Sequence, residues 1–266
     1  MYLLYTDEVN VDPESSDFFV YAGISIPCDV AGIISAEMEK VRRLFGYRQE
    51  DILKFNTVER PSHISPTSHR EIKKTIMEML PAYGVKLFAS FISHDVAKDP
   101  DQARRFEINR ICFHFNSYLI RENDSGIVLI DTFNDSRLAG ILREKFSIGL
   151  RGLPYSPTYR LERILGFHLA CIGSSHFSSI IDIVLGSLRY AINSRLDPLK
   201  LCVCKSLIDQ ISPMCIRNRL DGKVDELSIF FSPKVIKSDR ILEEYFALSK
   251  YFSDCGLEVI AIPMRG

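Results

Sequence analysis

The chain has 266 residues, 46% of them hydrophobic and 25% charged, with a net charge of -1. These values describe a globular protein with a full core, exclude a disordered chain, and leave any phosphate binding to local patches rather than to an overall basic surface. Seven cysteines with no C-x-x-C pair point to reduced thiols of a cytoplasmic protein rather than a disulfide frame or zinc site, and every apolar run falls short of the ~18 residues of a membrane span.

The first eight residues, Met1 to Glu8, form an apolar run that ends abruptly in two carboxylates, the signature of a strand buried on both faces with charge at its carboxyl end. Phe18 to Ile26, stopped by Pro27, predicts a second strand close enough to form a hairpin with the first. A helix over Val30 to Phe45 closes on Gly46. Asp51 to Phe55 is compatible with a short strand, and the remainder of 47–68, with Pro61, His63 and Pro66, reads as loop. Ser68 is the expected cap of a helix over His69 to Leu80, with Glu71 completing a capping box.

Val85 to Ile92 predicts a third strand, and the stripe of Ala103, Ile108, Ile111, His114, Phe115 and Leu119 predicts a helix over Asp101 to Glu122. Ile127 to Ile130 repeats the opening pattern and ends in Asp131. A helix over Ser136 to Ile148, a turn region at Gly152, Pro154 and Pro157, and a strand over Ile164 to Leu169 follow. Serines 174, 175, 178 and 179 offer caps for an amphipathic helix from Ser178 to Asn193. The first 195 residues read as one α/β domain. Residues 196–266 read as an α/β extension expected to pack on the same sheet: helix Leu199 to Ile211, strand Glu226 to Phe231, helix Arg240 to Phe252 and strand Leu257 to Pro263.

If the strands ending in Asp7 and Asp131 are parallel neighbours, both acids emerge where open α/β sheets place ligands, and two acids meeting there need a shared proton or a cation. Either acid alone fits better as the turn residue that ends its strand at the solvent boundary, and it is the pair of matching contexts with a third acid that points to a site. Asp182 borders the apolar face of its helix, where it reaches toward the sheet edge or serves as a first-turn acid favoured by the helix dipole. Two strand-end acids and a helix acid suit hard cations such as Mg²⁺ or Mn²⁺, which clamp the oxygens of a phosphodiester displacement. Glu8 would add a ligand or orient a water. Lys54 is a candidate phosphate contact, or an exposed strand lysine.

These residues carry a resemblance. The opening "YTDE" with "FFVYAGISI", the "ILKF" segment, "IVLID" and "SSHFSSIIDIVLGSLRYA" resemble the DUF3800 family over residues 1–195, whose members begin "YiDEsG" and carry a late "S…lQlADlvag" helix. The resemblance implies an RNase H-like mixed sheet flanked by helices and a metal-dependent nuclease, with Asp7, Glu8, Asp131 and Asp182 as the acids. The chain departs from the pattern at Val9 and Asn10, where the family has Ser-Gly, and at Ser179, where it has Gln.

From Arg137 to Arg163 six basic residues face two acidic ones, a local +4 that suits a nucleic-acid backbone with Tyr155 and Tyr159 for stacking, or a solvated helix face. His176, ahead of the Asp182 helix, is a candidate proton shuttle, whereas His114 belongs to an apolar stripe. P-loop, G-x-G-x-x-G and G-x-S-x-G motifs are absent from the sequence. The expectation is a cytoplasmic nuclease acting on DNA or RNA, the alternative a non-catalytic protein of the same fold that binds nucleic acid or protein.

Overall fold

A computed structural model describes residues 1–97, 99–131, 138–153 and 156–266, the side chains at 15, 152, 153, 156 and 157 excepted. In chain order the strands and helices are β1 (Tyr2–Val9), β2 (Phe18–Pro27), α1 (Cys28–Leu44), α2 (Pro66–Met79), β3 (Lys86–Ser93), α3 (Pro100–Arg121), β4 (Gly126–Asp131) and α4 (Leu138–Ser147). There follow β5 (Leu150–Leu153), β6 (Ser156–Tyr159), β7 (Ile164–Ala170), α5 (His176–Asn193), α6 (Leu201–Ile211), β8 (Ile229–Ser232), β9 (Val235–Ile236), α7 (Asp239–Asp254) and β10 (Met264–Arg265).

The central sheet is mixed, in the order β7-β4-β1-β2-β3-β8. β1 and β2 form the predicted antiparallel hairpin, β3 continues it antiparallel, and β4, β7 and β8 join their neighbours in parallel. The two strands read as continuous apolar runs, β1 and β2, occupy the middle of the sheet, where both faces are covered. Side chains alternate between the faces. Tyr5, Val20 and Ile24 enter a core shared with α1, α2, α5, α6 and α7, while Leu4, Tyr21 and Val128 enter a second core under α3 and α4. α5 is held by Ile180, Ile181, Val184, Leu185, Leu188 and Ile192, all buried, at about 1.5–3 kcal/mol for each such side chain removed from water. Residues after 195 supply α6 and α7 to the first core and β8 to the outer edge of β3.

Several boundaries differ from the sequence expectation. α2 starts earlier, with Ser65 as its cap, accepting from the Ser68 N–H at 3.0 Å, and Pro66 in the first turn, where its missing N–H costs no helix bond. His69, the expected first residue of the helix, therefore lies a turn inside α2, fully buried. α5 begins at His176 behind the cap Ser175, which places Asp182 beyond the first turn and removes the helix-dipole account of that acid. Asp51 to Phe55 is not a strand, because the Phe55 N–H and carbonyl are taken by side chains of α5 and α2. The region around Gly152 pairs as the β5–β6 hairpin. Leu257 to Pro263 keeps the alternating burial of a strand, with Leu257 and Val259 inside, but it makes a single bridge from Val259 to Val224.

Candidate acid site at the strand ends

The recorded register of β1 and β4 runs parallel to Thr6 opposite Ile130, so the next step along both strands sets Asp7 beside Asp131. Tyr5 and Leu129 precede them on the same face and pack against the core that contains α5. Asp182 reaches this face from α5, whose Phe177 ring lies 5.4 Å from that of Tyr5. The end of β1 is tied to the end of α5 by a reciprocal amide pair: Asn10 Nδ2 donates to Asn193 Oδ1 at 3.1 Å, and Asn193 Nδ2 donates to Asn10 Oδ1 at 2.9 Å. Asn10 adopts φ 59°, a left-handed conformation that Asn tolerates and Gly favours, at the position where the resembled family has Gly.

The three aspartates share one electrostatic field. Burial, then the neighbouring Glu8 charge, then Asp131 and Asp182 push the Asp7 carboxyl up to about 7, against the Glu8 N–H that donates to Asp7 Oδ1 at 2.8 Å. The Asp182 carboxyl is also raised by burial, opposed by the Phe55 N–H, which donates to its Oδ2 at 2.5 Å, and by the charge of Lys54. Among the described residues, however, no group of three His, Cys, Asp or Glu side chains is close enough to hold a metal ion as it stands.

Glu8 does not join the aspartates. Neighbouring strand residues project to opposite faces, and Glu8 accepts from Arg104 Nε of α3 at 2.8 Å on the other side of the sheet. Arg104 is itself buried and also donates to Asp101 at 2.7 Å. Burial raises the Glu8 carboxyl and Arg104 opposes the rise.

Lys54 stands on a loop rather than a strand, paired with Glu59 at 2.5 Å. The bond to Glu59 holds its ammonium above the ordinary lysine range, and the Asp182 and Asp131 charges add to this. Glu59, carried back by the 3-10 turn Thr57–Glu59, was not a sequence candidate, yet its charge also reaches Asp182. Arg104, Glu59 and Lys73 are the charged neighbours that sequence reading missed.

The other candidates fall away from the site. His176 faces Glu39 at 3.8 Å and lines a cleft with Arg42, Asp51 and Ser174 that none of the three aspartates lines. His114 is a core residue, stacked 4.0 Å from the Phe230 ring, and burial pushes its imidazole down to about 3. The basic track is thinned: Lys145 is buried against Asn109, Arg151 pairs with Glu144 at 3.2 Å, and Tyr159 packs on Phe113 with its hydroxyl taken by Asn116. Arg137 and Tyr155 lie outside the described residues. All seven cysteines are free thiols, four of them buried. Among the described residues no helix is long and apolar enough to cross a membrane.

Compared with known proteins, the chain matches no protein-family model and no curated sequence.

Proposed function

We propose that this protein is a metal-dependent nuclease of the RNase H-like, DUF3800 type. The observation that carries the reading is the register that ends β1 in Asp7 beside Asp131 at the end of parallel β4, with the charge of Asp182 on α5 adding to the rise of the Asp7 carboxyl to about 7. Burial and like charges of this kind are relieved by a proton or by a hard cation. The sheet, an antiparallel meander β1-β2-β3 extended by parallel strands beyond β1, with an acid-bearing helix on one face, supports the same reading.

Asp7, Asp131 and Asp182 are the residues that would hold Mg²⁺ or Mn²⁺, and the bound metal would supply charge stabilisation at the phosphate and an activated water. Lys54, whose ammonium feels the charges of Asp182 and Asp131, would meet a non-bridging phosphate oxygen once it leaves Glu59. Glu8, paired with Arg104 on the far face, acts by its field on Asp7 rather than as a ligand. The substrate is DNA or RNA. The test is Mn²⁺- or Mg²⁺-dependent cleavage of single- and double-stranded DNA and RNA by the wild type and by Asp7→Asn. Wild-type cleavage lost in the variant sustains the reading, and full activity in Asp7→Asn ends it.

A second reading, a non-catalytic protein of the same fold that binds nucleic acid or protein, is favoured by the spacing of the acids, which as they stand form no metal-holding group among the described residues. Calorimetry with Mn²⁺ separates the two: no heat of binding, and no change on removing Asp7, selects the second.

A further inference from the structure

Phe55 is gripped by Asp182 and by three residues that the nuclease reading does not use, Lys73, His69 and Gly186. Its N–H donates to Asp182 Oδ2 at 2.5 Å, and its carbonyl accepts from Lys73 Nζ at 2.8 Å and from His69 Nε2 at 3.4 Å. The Lys73 ammonium also lies 4.2 Å from the centre of the Phe55 ring, a cation–π contact. The ring rests on α5 at Gly186, where an added Cβ would overlap its Cβ, Cγ and Cδ1 atoms. His69 is oriented in turn by Tyr47, whose hydroxyl is 2.7 Å from Nδ1. The His69 Nε2–H therefore points at Phe55, and burial keeps the imidazole neutral, its pKa pushed down to about 4.

This grip has two consequences at the acids. One oxygen of Asp182 is tied to a backbone amide, which holds that oxygen toward Phe55. Lys54, the preceding residue, is delivered to Glu59 and into the fields of Asp131 and Asp182. A glycine inside a buried helix is otherwise unfavourable by about 1 kcal/mol relative to alanine, and the Phe55 ring supplies its reason.

We propose that Lys73 and Gly186 are positioning residues of the acid site, which by seating Phe55 hold the Asp182 carboxylate in place and keep Lys54 paired with Glu59. The consequence for turnover rests on the nuclease reading, whereas the seating of Phe55 does not.

The experiment measures two things on the full chain, in the wild type, Lys73→Met, Lys73→Arg and Gly186→Ala. One is steady-state cleavage with Mn²⁺, the other the NMR shift and hydrogen exchange of the Phe55 amide, with the amides of β2 as the control for an intact fold. Lys73→Met and Gly186→Ala are expected to lower kcat about ten- to a hundredfold, the range of a small misplacement of reacting groups, with KM little changed. Lys73→Arg restores most of the loss. In the two damaging variants the Phe55 amide moves upfield and exchanges faster while β2 stays protected. An unmoved Phe55 amide in both overturns the proposal, as does a moved amide with unchanged kcat in an active enzyme, or failure of Lys73→Arg to restore activity. If Lys73→Met loses β2 protection, Lys73→Gln takes its place under the same criteria. A wild type that neither binds Mn²⁺ nor cleaves removes the nuclease reading alone, and the Phe55 amide by itself then upholds or overturns the seating.

Discussion

Glu107 and Asp7 are both withdrawn from water, and their surroundings solve the problem differently. Glu107 of α3 is fully buried between β3 and β8, and its carboxylate accepts from the Ser90 hydroxyl on one strand, from the Ser232 hydroxyl at 2.8 Å on the other, and faces Arg110 Nε at 3.3 Å. Burial raises its pKa, and each of these neighbours opposes the rise. At the ends of β1 and β4 the neighbours of Asp7 are other acids: apart from the Glu8 N–H, every group named around it pushes its carboxyl further up. A buried acid surrounded by donors belongs to the fold. One whose named neighbours are other acids is a standing cost to the fold, a cost that the proposed cation would relieve.

The largest expected effect breaks the comparison at the strand ends. Asp7→Asn or Asp131→Asn should lower metal-dependent cleavage by at least ~10²–10³-fold, whereas Glu107→Gln should leave cleavage within a few-fold, both read in the assay described above.

Next comes pH. An acid whose folded pKa lies near 7 rather than the unfolded 3.8 binds more protons in the folded state, so its stabilising contribution is complete below about 4 and is lost as pH rises through about 7. The metal-free protein should therefore lose up to about 4 kcal/mol between pH 4 and pH 8 through this group. Urea denaturation of wild type and Asp7→Asn at the two pH values measures it, and the variant should be the more stable of the two at pH 8. Added Mn²⁺ should recover stability at pH 8 in the wild type and in Glu107→Gln but not in Asp7→Asn.

On the other side of the comparison, Glu107→Ala strands two hydroxyls and Arg110 and should destabilise the fold by about 3 kcal/mol. Glu107→Gln keeps the shape and part of the bonding and should cost about 1 kcal/mol, again by urea denaturation. A last, modest effect sharpens the contrast. Arg104→Met takes from Glu8 the partner that separates it from its neighbours, and should cost about 1–2 kcal/mol at neutral pH and less in acid, where Glu8 is protonated.

How much of this was legible in the sequence depended on the range of the contact involved. The strand-end acids were visible because a doubly covered strand is written as an unbroken apolar run, and its charge can begin only where cover ends. The division between Asp7 and Glu8 was also within reach, since adjacent strand residues must face opposite ways. Gly186 carried a weaker signal, a glycine within a strongly apolar helix, without saying what rests on it. Lys73 and Glu59 gave none: their roles depend on Phe55 and Lys54, whose loop takes its shape from side chains of α2 and α5 rather than from its own pattern. The same cause misled the strand expectations at Asp51 to Phe55 and Leu257 to Pro263, where apolar spacing was present but a full strand partner was not.

The amino-acid order alone determined which segments are buried and where their charges start, because period and composition are local and every helix or strand must hide its apolar side. Only the tertiary structure decided that β1 and β4 lie parallel, that the charge of Asp182 reaches Asp7 while Glu8 turns to Arg104, and that β8 seals the edge of β3 over Glu107. Those outcomes depend on which distant surfaces pack together, and packing is a property of pairs of segments that no single stretch of chain encodes.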